Sequence, residues 1–257
     1  GDSGYLDSLR IAHDASALSG ACLLVRSVAY RAVGGMDETD LGNHFSDTDL
    51  CLKLRSPTQR LIYQPLATVV FGGATSLDID GNAVLAAQDA LAKAHAANAF
   101  SQRWLTKAAV DPYWNPNLSL AQLTPTPETD YRAQWQYLPS AVPRILARSF
   151  SKGESFFRID SFLTASRKAG LASECYWPQD KREPSAAELL RLAPDTVIVQ
   201  HYLKNSQLAA LQDWHTSPDR PFVVYTIDDL MTNMAQSNSL RLNIPANART
   251  RLKFALQ

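Results

Sequence analysis

The segment Phe45-Ser46-Asp47-Thr48-Asp49-Leu50 sets two carboxylates two residues apart at the start of a helical pattern. Positions i and i+2 do not share a helical face, so one carboxylate can point toward a cleft while the other caps the helix or bonds its backbone. A carboxylate in a cleft can deprotonate a hydroxyl nucleophile if it comes within about 3 Å of it. The plainer alternative is that Asp47 and Asp49, with Asp40 nearby, are acids placed to favour the helix dipole. Asp-x-Asp also suits Mg or Mn, but this pair alone would make an incomplete metal site.

Further candidates lie beyond this pair. The stretch Asp111-Pro112-Tyr113-Trp114-Asn115-Pro116-Asn117 holds two close prolines and reads as an ordered aromatic loop. Tyr113 and Trp114, or Arg103 before them, are candidate ligand contacts; the alternative for the aromatics is that they pin the loop to the surface. His201 follows an apolar strand pattern, and Asp228-Asp229 follows another. In doubly wound sheets ligands gather past such carboxyl ends. A sheet-edge histidine and a helix cap or turn are the structural alternatives. Arg158 is a candidate to face the same crevice, after Ser151-Lys152-Gly153, a small anion-binding loop at a helix start. The glycine fingerprint of a dinucleotide site and the P-loop pattern do not occur. No histidine has zinc-ligand spacing with cysteines or acids.

These residues need elements to hold them. Residues 21–25, Ala-Cys-Leu-Leu-Val, predict a buried strand, and residues 27–33 a short helix stopped by Gly34-Gly35. A loop over 37–44 leads into an amphipathic helix with Leu50, Leu52 and Leu54 on its apolar face. Residues 61–63 and 67–71 predict two strands broken by Pro65, and residues 83–100 a long alanine-rich helix. Periodicity disappears and Pro and Thr content rises between residues 120 and 135, which predicts a domain boundary, drawn at 130/131. Beyond it the pattern alternates: helix 154–169 with Phe157, Phe162, Leu163 and Ala165 facing the core, strand 172–177, helix 185–192, strand 196–199, helix 206–214 and strand 222–227. Such alternation implies parallel βαβ units with right-handed crossovers.

The chain has 257 residues, 46% of them hydrophobic, enough for two cores. Lys+Arg and Asp+Glu both number 25, and this zero net charge argues against a general nucleic-acid binder. No apolar run approaches the roughly 20 residues that span a bilayer. Residues 1–14 lack a signal-peptide pattern, and three scattered cysteines read as free thiols in a reducing, cytoplasmic setting. The strand–helix series breaks off at residue 257 and lacks early strands before residue 21, so the chain reads as a piece of a longer polypeptide.

Four blocks, Ser19-Gly20-Ala21-Cys22-Leu23-Leu24-Val25-Arg26, Val33-Gly34-Gly35-Met36-Asp37-Glu38, the segment from Phe45 to Leu54, and Tyr63-Gln64-Pro65, resemble the C-terminal half of inverting GT-A glycosyltransferases. Residues 19–120 carry this resemblance, including the loop from Asp111 to Asn117, which is similar to the tail after such domains and implies that Arg103, or Tyr113 and Trp114, touch a sugar or its diphosphate. It implies that Asp47 is the general base, Asp49 a supporting acid, and Ser19, Gly20 and Ala21 the floor of the donor-sugar and acceptor pocket, with Arg26 structural. Two departures stand out: Ser46 replaces the acid usual before the base, and the stretch Val69-Val70-Phe71-Gly72-Gly73 after the Tyr-x-Pro block has no histidine near it where the family often has one. Residues 135–257 resemble the N-terminal Rossmann-like lobe of GT-B glycosyltransferases. The markers are Gly153-Glu154-Ser155-Phe156-Phe157-Arg158, Gln200-His201-Tyr202 and Tyr225-Thr226-Ile227-Asp228-Asp229-Leu230. That lobe binds acceptor, which places Arg158, His201, Asp228 and Asp229 on the acceptor side. The expected fold class is thus α/β: a partial GT-A-like mixed domain over 1–130, then a Rossmann-like parallel sheet over 131–257.

The resemblance implies a bacterial cell-surface polysaccharide enzyme of O-antigen or lipopolysaccharide type. Its partners would be a nucleotide-sugar and a saccharide or lipid-linked acceptor, at the cytoplasmic side of the inner membrane beside its assembly machinery. Mn or Mg would serve the full-length protein, and no cofactor is expected on this stretch alone. The alternative is a carbohydrate-binding or scaffold module that kept transferase folds without turnover.

Overall fold

The computed structural model describes residues 3–56, 59–70, 83–122, 124–128, 141–149, 155–175, 177, 182–217, 219–227 and 247–255. The chain divides into two compact units, Gly1–Asn115 and Pro116–Gln257. The division falls earlier than the 120–135 stretch read from composition. Residues 116–128 fold with the second unit: Ser119 and Glu128 donate backbone bonds to Thr126 and Asn117, and the Arg191 guanidinium holds the Leu118 carbonyl at 3.3 Å.

The first unit is mostly helical. A two-residue antiparallel ladder joins β1 (His13–Asp14) to β2 (Ile62–Tyr63), with His13 opposite Tyr63. The same unit holds three α-helices among the described residues: α1 (Ser27–Ala32), α2 (Ser46–Leu54) and α3 (Ala83–Ala109). Helix α3 runs on past the alanine-rich stretch through Arg103 and Trp104, and its 27 residues span about 40 Å. Leu50, Cys51, Leu52 and Leu54 of α2 are buried, as are Ala96, Leu105 and Ala109 of α3.

Two strand expectations fail here. Residues 20–22 form a 3₁₀ turn with Ser19 as its cap; Leu23 and Arg26 are extended, and residues 23–26 belong to no ladder. Leu24 is fully exposed. A strand exists only through its partner's hydrogen bonds, and among the described residues none supplies them here. Residues 67–70 are likewise irregular, and Phe71 lies outside the described residues.

The second unit carries a four-stranded parallel sheet in the order β4-β3-β5-β6, built from β3 (Arg144–Arg148), β4 (Ser173–Cys175), β5 (Thr196–Gln200) and β6 (Phe222–Thr226). The first strand lies inside, its successor on one side and the third strand on the other. This is a Rossmann-like arrangement within a mixed α/β fold. Helices α4 (Ser161–Lys168), α5 (Ala186–Leu192) and α6 (Asn205–Thr216) connect the strands, and α7 (Ala248–Ala255) follows. Leu146, Val197, Val199, Leu192, Tyr202 and Trp214 form the core.

Local interactions set several helix ends. Ser185 caps α5, accepting the Glu188 N–H, while the Glu188 carboxylate accepts the Ser185 N–H at 2.9 Å, a complete capping box. Gly170 ends α4 at φ 68°, where a side chain would be strained. The expected helix 154–169, in contrast, opens with a π turn, Phe156–Asp160, before α4. Ile159 and Leu163 are buried there, whereas Phe157 is 74% and Phe162 is 66% exposed, so these two aromatics are not core contacts.

Candidate functional site

In the first unit, the residues singled out by type and spacing meet at the start of α2. The Gly20 N–H donates to Asp47 Oδ2 at 2.8 Å, and the Thr48 N–H donates to Asp47 Oδ1 at 2.7 Å. A Cβ on residue 20 would stand 3.1 Å from that of Asp47, so glycine allows the turn to come this close. Ser19 Oγ accepts the Ala21 N–H and shapes the 3₁₀ turn that presents Gly20. Gly20, Ala21 and Asp47 line one open pocket, with Met36, Glu38, Gly42, Asn43 and Ser46 completing the wall. Asp47 is half-buried; Oδ1 also accepts the Thr48 hydroxyl at 3.4 Å, while Oδ2, with the Gly20 bond alone among those described, keeps acceptor capacity toward the pocket.

Asp49 has a different part. Its carboxylate is fully buried. Trp104 Nε1–H and Arg103 Nη1–H both donate to Oδ1 at 2.8 Å, and Lys53 Nζ stands 2.6 Å from Oδ2 as an ion pair rather than an aligned hydrogen bond. Arg103 also meets Asp37 at 2.9 Å and Asp40 at 3.5 Å. Three carboxylates therefore engage the guanidinium that was a candidate for sugar diphosphate, and Asp49 ties α2 to α3. The Lys53 contact was readable as an i,i+4 pair. Trp104 carried no such signal, because it lies 55 residues from Asp49.

Burial pushes the Asp49 carboxyl up, but the bonds from Lys53, Trp104 and Arg103 together outweigh this and leave it below the usual range. The backbone N–H of Asp40 and then the Arg103 guanidinium hold Asp37 down to about 2. Both folded values lie below the unfolded value of 3.8, so the unfolded chain takes up protons first as pH falls. The stability these acids contribute is complete above 3.8 and is lost as pH falls through their folded values. Urea midpoints for this unit should match at about pH 7 and about pH 5 and drop by about pH 2.5. An unchanged midpoint at the lowest pH would refute this role for the cluster.

The aromatic loop stands apart from this pocket, whose lining does not include Tyr113 or Trp114. Ser16 donates to Asp111, which also accepts the Tyr113 N–H at 2.9 Å, while Arg55 bonds Ser16 and lies 5.5 Å over the Tyr113 ring. These contacts pin the loop. Tyr113 keeps 53% of its surface exposed, and the Trp114 Nε1–H is buried without a partner among the described residues.

In the second unit, the chain order reverses between β3 and β5, where this sheet type forms its ligand crevice. Arg148 ends β3, and His201 is the first residue past β5. His201 is buried with φ 53°, and its N–H reaches Thr226 O at 3.3 Å. Arg158 is exposed on the π turn, and Asp228 and Asp229 lie outside the described residues.

A cluster that the sequence did not suggest fills this end of the sheet. The buried Arg148 guanidinium makes a two-pronged pair with Glu183 at 2.8 and 3.2 Å and donates to Trp177 O at 3.3 Å. The Tyr202 hydroxyl donates to the same Glu183 carboxylate, while burial first and that carboxylate second push its pKa far above the usual phenol value. Glu183 and Trp177 thereby hold the segment before α5 against the ends of β3 and β5.

Among the described residues no group of three or more His, Cys, Asp or Glu side chains is placed to hold a metal ion. No helix among them is long and apolar enough to cross a membrane.

The class these features define is a two-unit α/β protein whose second unit has a Rossmann-like parallel sheet. The chain is 31% identical over 118 residues to a protein of Sinorhizobium fredii (strain NBRC 101917 / NGR234) described as "Uncharacterized protein y4gI". The match covers 46% of this chain and 12% of that protein, so the chain spans a small part of that relative's length. No family model matches the chain, and no solved structure matches it.

Proposed function

We propose that the chain is part of a glycosyltransferase that moves a sugar from a nucleotide-sugar to a saccharide or lipid-linked acceptor, with Asp47 as the general base. The observation that carries this reading is the 2.8 Å bond from Gly20 N–H to Asp47 Oδ2, which joins the Ser19-Gly20-Ala21 block to the carboxylate on one open pocket. An acceptor hydroxyl seated there would lose its proton to Asp47 as its oxygen bonds the anomeric carbon. The bond from that carbon to the diphosphate oxygen breaks in the same displacement, inverting the centre. Asp49 supports the site from behind, as the buried tie between α2 and α3.

The Mn or Mg of such enzymes does not fit the acids described here, since Asp37, Asp40 and Asp49 gather on Arg103. The step proposed for this unit therefore runs through Asp47 alone. The second unit fits an acceptor-side lobe of GT-B type, with His201 at the crevice end of the sheet. O-antigen or lipopolysaccharide assembly at the cytoplasmic face of the inner membrane is the corresponding setting.

A second reading, a carbohydrate-binding module without turnover, is favoured by the two backbone N–H bonds that already hold Asp47. One experiment separates the two. The full-length polypeptide is assayed for transfer from a panel of nucleotide-sugars with Mn or Mg, alongside Asp47→Asn, whose single amide oxygen keeps one of the two backbone contacts. Transfer reduced about 10²- to 10⁴-fold with the fold intact supports the base assignment. Undiminished transfer removes Asp47 from the chemistry, and saccharide binding without transfer from any donor selects the binding module.

A further inference from the structure

We propose that Glu38 is a specificity-determining residue of the Asp47 pocket: it accepts a hydroxyl of an uncharged acceptor sugar and repels the acidic counterpart of that sugar. This rests on the reading of the pocket as the acceptor site and names the substrate class it takes. The turn that presents Glu38 is fixed on both sides. The Met36 N–H donates to the Tyr30 hydroxyl at 3.3 Å, and the Asp37 carboxylate accepts the N–H groups of Thr39 at 3.0 Å and Asp40 at 2.9 Å. Asp37 and Asp40 both pair with Arg103, at 2.9 and 3.5 Å. Glu38, between them in the chain, does not. It is exposed, lines the pocket and, among the described residues, has no hydrogen-bond or ion-pair partner. The side chains of Asn43 and Ser46 on the same wall are equally uncommitted.

The chemistry of this wall selects an uncharged, hydroxyl-rich ring. Ionised Glu38 and Asp47 only accept hydrogen bonds, whereas the Asn43 amide and the Ser46 hydroxyl both donate and accept. A sugar supplies the matching set, since each of its hydroxyls does both. The pocket has a volume of about 510 Å³, ordinary for a small-ligand site, and Met36 adds an adaptable apolar wall for the C–H face of a ring. Because the turn is held in advance, Glu38 gives up little freedom on binding. A sugar carboxylate would instead meet two carboxylates, and no Lys or Arg lines the pocket among the described residues. Like charges about 5 Å apart in solvent-rich surroundings weaken binding about tenfold.

The test compares methyl glycosides with their uronic acid counterparts in the gluco, galacto and manno series, pairs that differ in a hydroxymethyl group against a carboxylate. Binding to the full-length polypeptide is titrated by saturation-transfer NMR in about 0.15 M salt, where screening confines charge effects to about 8 Å. The parent should bind a neutral glycoside at least about tenfold more tightly than its uronate. Glu38→Lys should erase or reverse that ratio, and Glu38→Gln should narrow it about threefold or more. A merely structural role would lower both affinities alike and leave the ratio unchanged. The ratio is read without turnover, so it stands apart from the role of Asp47. If it follows Glu38 while Asp47→Asn leaves transfer undiminished, the base assignment falls and the proposal for Glu38 holds. A parent that binds uronates as tightly as neutral sugars overturns the proposal, even where Asp47→Asn abolishes transfer. So does a ratio that Glu38→Lys leaves unchanged, or a parent that binds none of the glycosides.

Discussion

Replacing Glu183 by alanine should destabilise the second unit by about 3–5 kcal/mol, the cost of breaking a buried ion pair from one side. Arg148 is the reason. Its side chain is 4% exposed, and the change strips from it the carboxylate that meets Nε at 2.8 Å. The same substitution removes the acceptor of the buried Tyr202 hydroxyl and releases the segment before α5 from the ends of β3 and β5. Urea unfolding followed by hydrogen exchange of individual peptides would read the loss in β3, β5 and the segment at 182–185. Replacing both charges, as Arg148→Met with Glu183→Leu, should cost less than Glu183→Ala alone, because no charge is then left in a dry site. If the double variant proved the less stable one, the pair would have to be a net source of stability rather than a mutual dependence.

The second large effect is expected at Asp49→Ala, at about 3 kcal/mol in the first unit. The lower end of the range applies because the cations left behind can still reach water: Arg103 is 33% exposed and Lys53 is 22% exposed. The Trp104 indole N–H also loses its acceptor. Asp49→Asn should recover part of the loss by keeping an oxygen for Trp104 and Arg103, whereas Asp47→Asn, half-exposed and losing one backbone bond, should cost no more than about 1 kcal/mol. Exchange protection of α2 and α3 would follow the order parent, Asp47→Asn, Asp49→Asn, Asp49→Ala. Equal losses at 47 and 49 would contradict the division of labour between the two acids, one on a pocket and one in the core.

That division could be framed from the spacing Asp-Thr-Asp but not assigned. Two carboxylates two residues apart leave the helix on different faces, whichever of them faces the interior. The assignment came from Arg103 and Trp104, brought to Asp49 from 54 and 55 residues away. The bond from Gly20 to Asp47 across 27 residues is of the same kind.

Where the controlling interaction is local, the sequence was enough. The helix start at Ser185, the amphipathic helix at Ser46–Leu54 and the strand–helix alternation past residue 170 follow from signals a few residues apart, and each was legible. The central strand β3 was not. It begins and ends in arginine, which reads as surface. Glu183, 35 residues on, and the Trp177 carbonyl help make Arg148 tolerable at the end of a buried strand, while the Arg144 side chain is met by the Leu192 carbonyl at 2.9 Å. Residues 21–25 show the converse: an apolar run written for a strand stays unpaired, because a ladder is a property of two segments and composition describes one. Periodicity and capping thus decided the helices and most strands of this protein, through forces that act within one or two turns. Charge burial, strand pairing and the placing of Asp47 beside Gly20 depended on partners distant in the chain, which become neighbours only once the cores have closed.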